Sequence, residues 1–282
     1  MAMIDVHVHP STQEWADCMG GFYEPMEHHY RADLHVRTED EMAADLRDTE
    51  RRSVLLAFDA ETNTGLPAVS NDYVAGVVAR HPDVFVAGFG SVDPWKGKQA
   101  VTEAQRCVRE LGMKGFKFKP DAQAFYPNDR RFYPLWETLN ELETIALFHV
   151  GTTGLGVGHP GAGGFKLSYN RPIPYIDDIA ADFPKLTIIA AHPAWPWQEE
   201  MLAIALHKPN VYMDLSGWSP KYFEPSLKRE INGRLQDKVL FGSDYPFITP
   251  ERWLRDFSVD QFYRDSVVQK VLYVNAAQIL KL

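Results

Sequence analysis

A single α/β barrel of eight strand–helix repeats, (β/α)8, is the fold class this sequence predicts. Three observations carry that prediction. Eight short apolar runs recur along the 282 residues, mostly about thirty residues apart. Helical segments lie between them, as buried parallel strands require, because each strand needs a crossover to return the chain. The first run is followed by His9-Pro10-Ser11-Thr12-Gln13, where an open doubly wound sheet would carry a glycine-rich phosphate loop.

Taken in order, the runs are Ile4–His9, Val54–Asp59, Val84–Val92, Gly115–Pro120, Ile145–Gly151, Leu186–His192, Val211–Ser216 and Val239–Asp244. Thr38, followed three residues later by Glu41, forms a capping box that opens a helix expected to run to about Arg52. Pro172 and Pro174 precede a helix through about Asp182, Pro250-Glu251 opens another, and Ser266–Leu280 closes the chain with helical periodicity. Two stretches lack periodicity, Ser11–Arg37 after the first strand and Thr152–Arg171 after the fifth. Both are loops at the C-terminal ends of strands, the face where barrel active sites lie. The second holds Gly154, Gly156, Gly158, Gly161, Gly163 and Gly164, and is expected to move over the mouth.

Composition narrows the function. A hydrophobic fraction of 45% and a charged fraction of 24% are those of a globular protein. The 29 Lys and Arg against 38 Asp and Glu give a net charge of −9, with no basic run to suit nucleic acid. Cys18 and Cys107, in neither CxxC spacing nor disulfide density, fit a reducing compartment. The opening strand lacks the form of a signal peptide, and no apolar stretch reaches membrane-spanning length. The expectation is one cytoplasmic domain over 1–282 with a small-molecule substrate, no membrane or nucleic-acid partner, and self-association left open.

The chemistry lies at strand ends. His7 and His9, two apart in a strand, share one face. His149 ends the fifth run, His192 the sixth and Asp244 the eighth. In a barrel these ends converge on one mouth, and four or five imidazole and carboxylate groups there suit Zn²⁺ or another divalent first-row ion such as Mn²⁺. A purely structural role would require five polar side chains buried independently at strand ends, each with its own partner.

In this combination the sequence resembles the amidohydrolase superfamily, and within it the amidohydrolase-related branch that includes aminocarboxymuconate semialdehyde decarboxylase, resorcylate-type decarboxylases, and lactone and acyl hydrolases. Gly115-Phe116-Lys117-Phe118-Lys119-Pro120, Phe241-Gly242-Ser243-Asp244-Tyr245-Pro246 and Val274-Asn275-Ala276-Ala277 carry the resemblance onward, so that it spans Ile4 to the C-terminus. It implies that His7, His9, His149 and Asp244 bind one metal ion, with His192 beside it as acid or base. A metal-bound water has a pKa near 7, a neighbouring imidazole can move its proton, and Asp244 can accept one as well as ligate. Binuclear members of the superfamily carry a carboxylated lysine at the end of strand four. Lys117 and Lys119 stand there on one face, and carboxylation of either would make His192 a ligand of a second metal.

Trp195, Trp197 and Trp218 fall in or beside mouth loops, where they could wall an aromatic substrate or simply pack helix against barrel. Lys117 and Arg171 are candidate partners for a substrate carboxylate. His28, His29, His35 and His159 lie in the long loops, where surface roles are ordinary. The sequence therefore predicts a metal-dependent hydrolase acting on an acyl, lactone or β-keto (thio)ester carbon. Pro193-Ala194-Trp195-Pro196-Trp197 and Asp214-Leu215-Ser216-Gly217-Trp218-Ser219-Pro220 resemble members assigned to hydroxyphenyl-β-ketoacyl-CoA hydrolysis and tip the reading toward it. The alternatives are a nonoxidative decarboxylase of an aromatic or muconate-type acid, which uses the same ligands, and a catalytically silent binding barrel.

Overall fold

The computed structural model describes residues 2–48, 50–259 and 262–282. Eight parallel strands stand in sequence order: β1 Met3–Val8, β2 Arg51–Leu56, β3 Phe85–Gly90, β4 Gly115–Phe118, β5 Ile145–His149, β6 Thr187–Ala191, β7 Val211–Asp214 and β8 Val239–Leu240. Each falls on one of the eight apolar runs. The ring closes between the first and last strands: Val6 N donates to Phe241 O (3.0 Å), Asp244 N to His7 O (3.0 Å) and His9 N to Tyr245 O (2.8 Å). Asp5 ties the same seam, accepting from the backbone N–H groups of His7 and Ser243. Burial nevertheless pushes the Asp5 carboxyl up to about 6.

Strand alternation sorts the core into two layers. Ile4, Val6, Val54, Leu56, Ala87, Phe89, Ile145, Leu147, Ile189, Ala191 and Leu240 fill the barrel interior. Leu55, Phe116, Phe118, Ala146, Phe148, Ile188, Ala190, Met213 and Phe241 face outward into the helices. The closing helix, Asn275–Leu280, adds Ala276 and Leu280 to the interior layer at its end. β1 breaks the rule. Val6 belongs to the interior and Val8 to the outer layer, and the strand's register with β2 shifts between Asp5 and Val8. That irregularity, a bulge in effect, re-aims the last residues of the strand.

The Thr38 capping box forms, its hydroxyl accepting from Glu41 N and Glu41 accepting from Thr38 N. Its helix ends at Leu46 rather than near Arg52, because Arg51 already begins β2. The closing segment is helical from Asp265 to Leu280, with a π-helical stretch at Lys270–Val274. Of the two long segments expected as loops, the first is largely helical, over Gln13–Met19 and Tyr23–Tyr30, and the two fold onto one another. Phe22 packs edge-on against His159 and Phe165, with centroids 4.8 and 5.1 Å away. Gly154 lies so close to the Tyr30 ring that a Cβ there would stand 2.4 Å from it.

Candidate metal centre and active-site cavity

Three ligand atoms converge at the mouth. His7 Nε2 is 3.3 Å from His9 Nε2 and 3.3 Å from Asp244 Oδ1, and His9 Nε2 is 3.4 Å from the same oxygen. All three residues are buried. The orientation of His7 is set from behind: its Nδ1–H donates to Asp214 Oδ2 at 3.0 Å, leaving the Nε2 lone pair toward the cluster. His9 is held by stacking on Trp15, with centroids 4.5 Å apart. Burial alone would raise the Asp244 carboxyl, but the neighbouring imidazoles of His9, His7 and His192 hold it well below the carboxylate range. Burial likewise would raise Asp214, and His7 outweighs it, keeping that carboxyl ionised. Two neutral imidazoles and an ionised carboxylate are the donor set a divalent first-row ion takes, so the residues fit one.

His149 lines the same cavity and adjoins this group. Its Nε2 lies 3.0 Å from Thr152 O, which can only accept, so that nitrogen carries the proton. Its Nδ1 faces His192 Nε2 at 2.9 Å, while His192 Nδ1 donates to the Ser216 carbonyl at 2.9 Å. Burial drives its pKa well below the ordinary histidine value, and that of His192 down to about 4. Ser216 backs the pair, its hydroxyl 3.0 Å from His192 Nδ1 and 2.9 Å from His7 Nδ1.

Alternation alone would turn His192 outward with Ile188 and Ala190. A left-handed backbone at His192 (φ 75°) marks its departure from β6, and its ring meets the mouth. Asp244 has the same character at φ 71°. Non-glycine residues held there are strained, and such strain clusters at sites where side-chain aim matters. Gly217, at φ 72°, lets the β7 loop pass beneath: a Cβ there would stand 2.6 Å from His192 Nδ1.

The cluster opens into a cavity of about 520 Å³. Trp15, Tyr30, Phe58, Trp195, Trp218 and Phe247 contribute aromatic walls, and Trp195 faces Trp218 with centroids 6.2 Å apart. Lys117 and Lys119 line it from β4 and the residue beyond, as two residues on one strand face should. Lys117 Nζ donates to His7 Nε2 at 3.1 Å, and burial brings its pKa down to about 7. Lys119 Nζ donates to Thr153 Oγ1 at 2.7 Å and pairs with Asp121 at 3.3 Å. Of the loop histidines, His29 lines the cavity, His159 packs on Phe22, and His28 and His35 are exposed. Trp197 and Arg171 are not among the cavity residues. Arg171 corrects an expectation: its guanidinium is bound to Glu200 at 2.6 Å, out of the substrate's way.

Asp214 and Ser216 are site residues that the sequence analysis did not select. Asp214 ends β7 on one strand face with Tyr212, so an inward carboxylate at a strand end was the available signal. Outer partners of ligating histidines are worth about 10–100-fold in metal affinity. Asp214→Asn is expected to weaken retention by that factor, measured as the metal dissociation constant by chelator competition. An unchanged constant would remove Asp214 from the support of the site.

A parallel eight-stranded barrel whose mouth gathers imidazoles and a carboxylate around an aromatic cavity is the architecture of a metal-dependent barrel enzyme. The chain belongs to the amidohydrolase family, whose model matches residues 4–282. It is 24% identical to a gamma-resorcylate decarboxylase of Polaromonas over 256 residues, covering 76% of this chain and 75% of that protein. It is 28% identical to a 2-keto-4-carboxy-3-hexenedioate hydratase of Sphingobium over 166 residues, 51% of this chain and 48% of the relative. It is also 28% identical to a 2-amino-3-carboxymuconate-6-semialdehyde decarboxylase of Dictyostelium discoideum over 79 residues, 28% of this chain. The match spans 22% of that relative's length, so these two resemblances are partial. Among solved structures, a 5-carboxyvanillate decarboxylase of Novosphingobium aromaticivorans with bound manganese shares the fold. The TM-score is 0.68 at 19% identity, over 100% of this chain and 97% of that one.

Proposed function

We propose that this enzyme is a metal-dependent nonoxidative decarboxylase of an aromatic acid, the alternative rather than the first reading of its sequence. One observation carries the proposal: the ligand cluster and His192 open together into an aromatic-walled cavity with lysines beside them. The three relatives support it, since two are decarboxylases and the third, a hydratase, is also a lyase. Both readings use the same ligands, and only short loop motifs tipped the sequence toward the hydrolase.

His7, His9 and Asp244 would hold the divalent ion, with His149 adjoining, and Zn²⁺ or Mn²⁺ suits the set. Bound there, the ion would supply positive charge to orient and polarise substrate oxygens. The protein's own residues do the rest. Trp195 and Trp218 flank the ring at the mouth. The Lys117 and Lys119 amines give the substrate carboxylate hydrogen-bond donors, and the apolar walls keep water from the reacting carbon. Burial holds the His192 pKa down, and an anion beside it raises its affinity for a proton. The bond from ring carbon to carboxylate then breaks, CO₂ leaves, and the electron pair left on carbon takes the proton that His192 delivers.

The test is an isotope experiment on metal-loaded protein with gamma-resorcylate and related hydroxybenzoates. Decarboxylation places deuterium from heavy water on the carbon that lost CO₂ and incorporates no ¹⁸O from labelled water. Solvent ¹⁸O in an acid product without CO₂ would restore hydrolysis. Solvent ¹⁸O added across a double bond, again without CO₂, would make the enzyme a hydratase.

A further inference from the structure

Arg252 is the one arginine among the cavity-lining residues, on the helix Pro250–Val259 eight residues beyond Asp244. It stands there with Trp218, Ser219 and Tyr222 of the β7 loop. The side chain is half-buried, and among the described residues its guanidinium makes no hydrogen bond or ion pair. Carboxylates are near it in the chain, but they are committed elsewhere. Glu251 pairs with the buried Arg51 at 2.8 Å, and Asp256, one turn further along the helix, accepts from Ser219 Oγ at 2.6 Å. Other arginines of this acidic protein find partners: Arg37 with Asp45, Arg106 with Asp72 and Glu103, Arg171 with Glu200, Arg234 with Glu230.

A guanidinium has five donors in a fixed planar fork and keeps its charge at any physiological pH, so one left without a protein partner at a cavity wall is available to an anion. The group that best matches that fork is a carboxylate bound in two parallel hydrogen bonds. The ligand cluster and the lysines already provide for the reacting carboxylate at the cavity floor. Arg252 sits instead with Tyr222, which is 63% exposed, and Trp218, toward the rim.

We propose that Arg252 receives a second carboxylate of the substrate, and that the enzyme therefore acts on aromatic dicarboxylates. The inference rests on the decarboxylase reading for what happens at the floor, and on Arg252 alone for the second anion. Arg252 is then a specificity residue: it sets which acid binds and leaves bond breaking to the floor.

The experiment measures binding of benzoate, isophthalate and terephthalate to manganese-loaded wild type, Arg252→Met and Arg252→Lys by titration calorimetry. Metal content and melting temperature confirm that each variant is folded and loaded. One charge-assisted pair is worth about tenfold or more in affinity. The wild type is expected to bind at least one dicarboxylate about tenfold tighter than benzoate. Arg252→Met should lose that preference while binding benzoate as before, and Arg252→Lys should recover part of it. A wild type without the preference, or an Arg252→Met protein that keeps it, overturns the proposal. The two readings fail separately. A preference abolished by Arg252→Met, with no CO₂ from any acid, keeps Arg252 and removes decarboxylation. CO₂ release with no dependence of binding on Arg252 does the reverse.

Discussion

Replacing both strand-one histidines, His7→Ala together with His9→Ala, is expected to cost the enzyme its metal and its turnover at once. Their Nε2 atoms face each other at 3.3 Å, and both lie within 3.4 Å of Asp244 Oδ1, so the double variant keeps one of three converging donors. A bound divalent ion contributes several kcal/mol of charge stabilisation, and each 1.36 kcal/mol is tenfold in rate. Turnover should therefore fall by on the order of 10³ or more. Elemental analysis and a CO₂ assay read the two losses together. Chelator-stripped wild type should regain activity on adding Mn²⁺ or Zn²⁺, and the double variant should not. Full metal occupancy in the variant would sink the assignment of this cluster.

The second large effect separates chemistry from metal binding. His192→Asn is expected to keep most of its metal and lose on the order of 10²–10⁴ in turnover, the range for removing a positioned acid or base. Asparagine preserves hydrogen-bonding capacity toward Ser216 and His149 but cannot take up and release a proton near neutral pH. The expectation follows from position: His192 contacts His149 and Ser216, and groups with His7 and Asp214 rather than with His9 and Asp244. Two metal ions in the wild type with one lost in the variant would reject this role. That result would make His192 a ligand and bring a carboxylated lysine back into the site.

Much of the barrel was legible because strand and helix signals are local. Each β-strand falls on one of the apolar runs, and Lys117 and Lys119 line the cavity together because alternation along β4 needs nothing beyond its own neighbours. The clustering of His7, His9 and Asp244 was legible once a barrel was assumed, since closure brings the ends of β1 and β8 side by side. Boundaries were less so. The Thr38 helix stops at Leu46 because the chain must turn and enter β2, a demand of the sheet that helix propensity does not register.

The sequence by itself determined the eight-strand plan, the donors available at the mouth, and the two long loops above it, all through apolar periodicity and residue type at strand ends. The tertiary structure decided how those side chains aim and whom they pair with. His192 reaches the mouth only through a left-handed backbone that strand alternation does not foresee. The histidines of β1 are re-aimed by its shift of register, and Asp214 becomes the brace of His7 through a contact across the barrel. Arg171 is paired with Glu200, while among the described residues Arg252 is left unpaired because Glu251 and Asp256 are taken by Arg51 and Ser219. Backbone strain and competition for partners are settled between residues distant in the chain, and a local pattern carries no record of either.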